Sequence, residues 1–384
     1  MRILWLPHQD WRFIRRGQRE YHLARELAKG SHEVHFLSWE SRYGRRPTPG
    51  LVLASLRGGT REDSGFRIHQ ARRLPNPFGQ RLHDVTARGL KLNELLYQRA
   101  VRRVVAEERI DVVICGISHQ AVGLPPDDLP VPLVFDYLDY KLERWPAVEA
   151  EYLRRADAVV CTSRVLTRRS TERHPRTYYL PNGVDLHAIA RADGARVRRL
   201  HGLGAARVVS LIGVTAAQRL FYIDAIAAVA GRIADVAFLL VGDGGRLGRA
   251  MQLRANQLGL RTVLTGDVPA SEVADYFAAS DVGLYPGEQN AYYDAASPLK
   301  VLEYTAAGKP VVATDLAELR SWGFPNLHLA APTTQAFAAE IERALRNGAP
   351  ERPVDLSGFA WEVLGEQLGA ILTEIAGSPR TARP

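Results

Sequence analysis

Within SPLKVLEYTAAGKPVVATD, residues 297–315, Lys300 and Glu303 stand three positions apart. That spacing puts two helical side chains on one face. Ser297 and Pro298 suit an N-cap and a first helical position, Gly308 and Pro310 suit a stop, and PVVAT reads as a buried strand. Lys300 therefore falls in the first turn, where unpaired amides and the helix dipole favour negative charge. A cation there is intelligible if an anion lies on the helix axis, because amides and ammonium then share a phosphate. Glu303, one turn deeper, would accept hydrogen bonds from sugar hydroxyls. An ordinary exposed ion pair has the same spacing, and spacing alone leaves both readings open.

The elements that must carry this pair alternate between short apolar runs and amphipathic stretches. In the first half the strand candidates are 2–7, 33–39, 66–70, 111–117, 132–138, 158–163 and 178–182, with helical periodicity over 19–29 and 93–108. The pattern restarts after a strand-poor segment at 183–206, with strands expected at 208–214, 236–244, 262–268, 281–286, 310–315 and 327–331. This is an α/β chain of two Rossmann-like, doubly wound parallel-sheet domains, expected over 1–185 and 186–384 and facing a central cleft. A last helix at 359–377 is expected to pack back on the first domain.

Several segments are similar to one family. SPLKVLEYTAAGKPVVATD, preceded by DVGLYPGEQNAYYDAA, resembles the donor-site segment of GT-B glycosyltransferases of bacterial polysaccharide pathways. LPNGVD (180–185), LLVGDG (239–244), TGDVPASEVADYFAASDVGLYP (265–286), ADAVVCTS (156–163), LVFDYLD (133–139) and RRGQREYHLARELAKGSHEVHFL (15–37) resemble further stretches of that family, in its order. The resemblance implies transfer of a sugar from a nucleotide-diphosphate donor, UDP-linked, to a glycan or lipid-linked saccharide. It gives Lys300 the donor diphosphate and Glu303 the ribose, with Ser297, Pro298 and Leu299 at the phosphate-holding helix mouth. Gly17 would let backbone approach the diphosphate, Arg219 would be a second cation, and Gly266, Asp267 and Val268 would flank the base. Candidate proton acceptors are His119, after the 111–117 strand, and Asp139. His8, Asp10 and Arg16 would touch the acceptor.

The chain departs from the family in two respects, one being that the cation pair after the first strand of the C-terminal half is reduced to Arg219, with no lysine following it. The first glutamate of the family's Glu-x7-Glu falls on Ala295, so Asp294 beside it is the expected substitute, and retaining or inverting outcome stays open. No metal or other cofactor is expected, since lysine, arginine and a helix N-terminus stand where a metal would neutralise phosphate. A GT-B nucleotide-sugar epimerase and a non-catalytic nucleotide- or glycan-binding protein are the alternatives. No G-x-S-x-G elbow and no P-loop occurs.

Composition sets the remaining bounds. The 384 residues are 46% apolar and 24% charged, which suits a globular protein of two domains. No apolar window is long enough to span a membrane, and MRILWLPHQDW reads as a first strand, not a leader. Cys115 and Cys161 lie in strand-like runs and are expected to be reduced core residues of a cytoplasmic protein. Residues 1–180 hold 31 Lys/Arg against 21 Asp/Glu, whereas the rest is slightly acidic. That asymmetry suggests solvated helix faces or an anionic partner, with a lipid diphosphate or the cytoplasmic membrane face preferred over nucleic acid, for which no motif is present.

Overall fold

The computed structural model describes residues 1–9, 11–15, 17–38, 58–72, 87–116, 124–140, 146–213, 220–242, 245–349 and 351–378. The chain divides into two compact units, Met1–Pro181 with Trp361–Pro384, and Asn182–Ala360.

The first unit holds an eight-stranded sheet: β1 (Arg2–Leu6), β2 (Glu33–Ser38), β3 (Gly59–Asp63), β4 (Phe66–Gln70), β5 (Val112–Gly116), β6 (Leu133–Tyr137), β7 (Ala158–Cys161) and β8 (Thr177–Tyr179). Its order is β3-β4-β2-β1-β5-β6-β7-β8. All pairs are parallel except β3–β4. The parallel strands β5, β6 and β7 are buried at every position, as expected of strands covered on both faces. β3 was not foreseen, because GTRED is polar and almost wholly exposed. It is held by antiparallel pairing to β4, not by an apolar face.

Helices α1 (Arg19–Lys29) and α2 (Ala87–Glu107) belong to this unit. In the second unit, strands β9 (Arg207–Ile212), β10 (Val236–Val241), β11 (Thr262–Leu264), β12 (Val282–Tyr285), β13 (Val311–Thr314) and β14 (Leu327–Ala330) run parallel in the order β11-β10-β9-β12-β13-β14. Its helices α3 (Val273–Ala279), α4 (Leu299–Ala306) and α5 (Ala317–Trp322) set up the candidate site. The last helix, α6 (Trp361–Gly377), returns to the first unit and packs on α1. His22 stacks on Trp361 at 4.8 Å, and Gly365 leaves room for Glu26, whose Cβ would lie 2.3 Å from an added methyl.

In both sheets the strand order reverses direction once, between β1 and β5 in the first unit and between β9 and β12 in the second. Ligands of such sheets bind outside the carboxyl ends of the strands at that reversal.

Candidate donor site at the α4 helix mouth

Helix α4 is anchored by its buried face. Val301, Leu302, Tyr304 and Thr305 point inward, and Tyr304 lies over Gly283 of β12, where a methyl would sit 2.4 Å from the ring. The Tyr304 hydroxyl bonds Ser210 Oγ at 2.8 Å, tying α4 to β9 as well. Its C-terminus closes as the sequence suggested: Gly308 is left-handed at φ 69°, with Gly308 N–H donating to Thr305 O and Lys309 N–H to Tyr304 O.

The N-terminus differs from expectation. Pro298, not Ser297, is the N-cap, in an extended conformation (φ −77°, ψ 112°), and no side chain caps the helix. Ser297 is unavailable as a cap because Asn182 holds it: Asn182 N–H donates to Ser297 Oγ at 3.3 Å, and Asn182 Nδ2 to Ser297 O at 2.6 Å. Leu299 opens the helix and Lys300 follows in its first turn.

Lys300 and Glu303 share a face, as their spacing required. Nζ lies 3.2 Å from Glu303 Oε2, and the two side chains are 35% and 26% exposed. Nζ is also 5.6 Å from the centre of the Phe277 ring on α3. Gly213, the residue after β9, has φ 78°, and an added methyl would lie 3.1 Å from Lys300 Cε. The ammonium is therefore mounted at the carboxyl end of β9, at the point where this sheet's strand order reverses. A part-exposed i,i+3 ion pair contributes about 0–1 kcal/mol at most, so this contact costs little to break.

Other expected site residues fall as follows. Asp294 Oδ1 accepts from Ala317 N–H at 2.8 Å and thereby caps α5, whose own N-cap Leu316 cannot. One oxygen of its carboxylate is thus engaged in local structure. Gly266 is left-handed at φ 70°, and its carbonyl accepts from Gly242 N–H at 3.0 Å, fixing the turn after β11 against the end of β10. Asp267 is exposed there, and Val268 packs against the core. Gly17, at φ 96°, precedes α1 in a conformation few other residues adopt. Asp139 is half-buried in the loop after β6. His119, Arg219, Asp10 and Arg16 lie outside the described residues.

The first unit has its own charged cluster at its strand-order reversal. His8, just past β1, bonds Glu20 of α1 through Nδ1, and its backbone N–H reaches Glu20 Oε1 at 3.4 Å. Arg19 Nε lies 3.3 Å from Asp136 Oδ1 of β6. Arg19, Glu20 and Asp136 are at most 3% exposed, and His8 is 8% exposed. Burial opposes the Glu20 charge, yet the charge of His8 and its hydrogen bond hold the carboxyl below the usual range. Burial pushes Asp136 up to about 6, against the pull of Arg19. Sequence reasoning missed Glu20, whose place in a first helical turn looks like a routine dipole preference.

His35, His69 and Glu108 bring possible metal-ligand atoms within 4.8 Å of one another. Their polar atoms already form a chain: Thr60 Oγ1 to His69 Nδ1 (3.1 Å), His69 Nε2 to His35 Nδ1 (3.0 Å), and His35 Nε2 to Glu33 (3.1 Å). The Arg67 guanidinium sits 2.7 Å from Glu108, supplying positive charge beside it. These groups make a polar layer among β2, β3, β4 and the residue after α2. Both cysteines are buried thiols, and burial pushes Cys161 up to about 12, which removes it as a nucleophile.

The basic segments of the first unit are largely paired internally. Arg169 and Arg173 both contact the buried Glu149, at 2.9 and 2.8 Å. Arg102 contacts Asp128, Arg154 contacts Asp127, and Arg155 contacts Glu151. Among the described residues no helix is long and apolar enough to cross a membrane.

Comparisons with known proteins converge on these two units. Residues 19–188 match the family model of Glycosyltransferase Family 4, and residues 207–347 that of Glycosyl transferases group 1. The chain belongs to the GT-B glycosyltransferases. A chain of similar sequence is TuaH of Bacillus subtilis (strain 168), described as a teichuronic acid biosynthesis glycosyltransferase, 29% identical over 174 residues. That match takes in 44% of this chain and 43% of TuaH, so the chain spans less than half the length of this relative. The fold is that of sucrose-phosphate synthase from Thermosynechococcus elongatus, with TM-score 0.69, 16% identity, and 98% and 99% of the two chains covered. It is also that of Anabaena Alr3699/HepE in complex with UDP and glucose, with TM-score 0.63, 18% identity and 98% of each chain covered.

Proposed function

We propose that this GT-B chain transfers a sugar from a UDP-linked donor to a glycan or lipid-linked saccharide in polysaccharide synthesis. One observation carries the reading: Lys300 sits in the first turn of α4, mounted against Gly213 at the β9–β12 reversal. In this reading the uncapped amides of α4 and the ammonium together hold the diphosphate. The solved HepE structure with UDP and the teichuronic acid assignment of TuaH support the choice of donor and of product class.

In this scheme Lys300 trades Glu303 for phosphate, and Glu303 turns to the ribose hydroxyls. Cation and amides stabilise the charge that grows on the departing diphosphate, the role a metal fills elsewhere. Asp139, in the loop after β6, is the proposed acceptor of the incoming hydroxyl's proton. Activity is accordingly expected to survive EDTA, and a strict Mn²⁺ or Mg²⁺ requirement would overturn the metal-free scheme. Lys300→Ala should weaken UDP binding by about 1.5–3 kcal/mol, the worth of a charge-assisted contact, as read by titration calorimetry. An unchanged dissociation constant refutes the donor assignment. Incubation with a panel of nucleotide sugars and saccharide acceptors should release nucleotide and form a new glycoside. Weak, salt-sensitive sedimentation with anionic liposomes is the expectation for peripheral membrane association, since most described arginines are internally paired.

A further inference from the structure

We propose that Asn182 is a positioning residue for the diphosphate site, fixing the mouth of α4 through Ser297. The inference rests on the reading of α4 as the donor-binding helix. Asn182 grips Ser297 twice across 115 residues of sequence, through its backbone N–H to the hydroxyl and its side-chain amide to the carbonyl. The second contact, at 2.6 Å, assigns the amide orientation, because a carbonyl needs a donor opposite it. It also sets the plane of the Ser297–Pro298 peptide. The next amides, of Leu299 and Lys300, are the open N–H groups of the helix, so their aim follows from that plane.

Nothing local does this work. Pro298 contributes neither an N–H nor a capping side chain. Asn182 itself is held firmly. The preceding carbonyl, Pro181 O, accepts from Arg19 Nη1 at 2.6 Å within the first unit. Val184 N–H donates to Phe359 O at 2.8 Å, and Asp185 Oδ1 accepts from Ala188 N–H at 2.8 Å within the second. Meanwhile Asn182 Oδ1 is buried with no hydrogen-bond partner among the described residues, an arrangement that costs stability. The side chain is placed for its NH₂ group at the expense of its oxygen, which is what a positioning role requires.

The test compares UDP with UMP, which lacks the second phosphate, by calorimetry on the full chain. Asn182→Ala should raise the UDP dissociation constant about tenfold, the worth of one hydrogen bond. Asn182→Asp, of the same shape, sets a carboxylate against the Ser297 carbonyl and should raise it about thirtyfold or more. UMP affinity should change less than about threefold in both, and KM for the donor should rise more than kcat falls. Unaltered UDP affinity in either folded variant overturns the inference. So does an equal loss for UMP and UDP, which is the mark of a purely structural role. If Asn182→Ala does not fold, the isosteric Asn182→Asp carries the test. Lys300→Ala run in parallel separates the two levels. Loss of UDP binding there, with none in the Asn182 variants, sinks only this inference, whereas no loss at Lys300 sinks the donor site itself.

Discussion

Each unit places charged groups where its strand order reverses, and the two sets are built oppositely. In the first unit, His8, Glu20, Arg19 and Asp136 are almost completely buried and spend their charges on one another. In the second, Lys300 and Glu303 are a third and a quarter exposed, and Lys300 is propped by a glycine and an aromatic ring. Buried ion pairs resist change because removal of one partner strands the other away from water. Half-exposed pairs cost little to break and leave a cation ready for an outside anion. The first arrangement holds a scaffold; the second is suited to exchange partners with a ligand.

The largest expected effect tests the first half of that contrast. Arg19→Met leaves Asp136 buried without its cation and should lower unfolding stability by about 3–5 kcal/mol in urea titrations. Lys300→Met should cost less than about 1 kcal/mol. Similar losses in the two variants would erase the distinction. Ligand binding is expected to reverse the ranking, with Lys300→Ala showing its loss in UDP affinity, not in stability.

A pH series sharpens the scaffold side. Burial, with the nearby His35, depresses His69 to about 4, whereas an unfolded imidazole protonates near ~6.5. Between those values the unfolded chain binds more protons, so stability should fall by about 1–3 kcal/mol as pH drops from 6.5 toward 4. His69→Gln should flatten that slope. Asp136 acts in the other direction: its carboxyl titrates near 6 when folded, so its share of stability fades as pH rises through the range from about 4 to about 6. The smallest effect belongs to Glu303→Gln, expected to shift stability by less than about 1 kcal/mol while weakening UDP and UMP to the same extent, because the carboxylate serves the ribose that both share.

Much of the fold was legible because parallel strands are apolar at every position. The runs 66–70 and 19–29 match β4 and α1, and the other strand candidates differ mainly at their ends. β3 escaped because an exposed antiparallel edge strand carries no apolar signature. At the candidate site, the Lys300–Glu303 pair could be read from helical spacing alone. The Ser-Pro dipeptide misled, since its letters suit a cap and first turn equally well whether or not a distant amide has claimed the serine. That Asp294 also caps the amide of Ala317 was not legible either, because adjacency in sequence to Ala295 says nothing about a residue 23 positions on.

The sequence by itself determined two alternating α/β halves and a cation three residues before a carboxylate at a helix start, because periodicity and spacing are local properties. Only the tertiary structure decided that Gly213 and Phe277 prop that cation, that Asn182 holds the helix mouth, and that Glu20 and Asp136 are sealed among their counter-charges. Those relations join residues tens to more than a hundred positions apart. Burial and hydrogen-bond direction, which set how a charge behaves, exist only once such distant segments have packed.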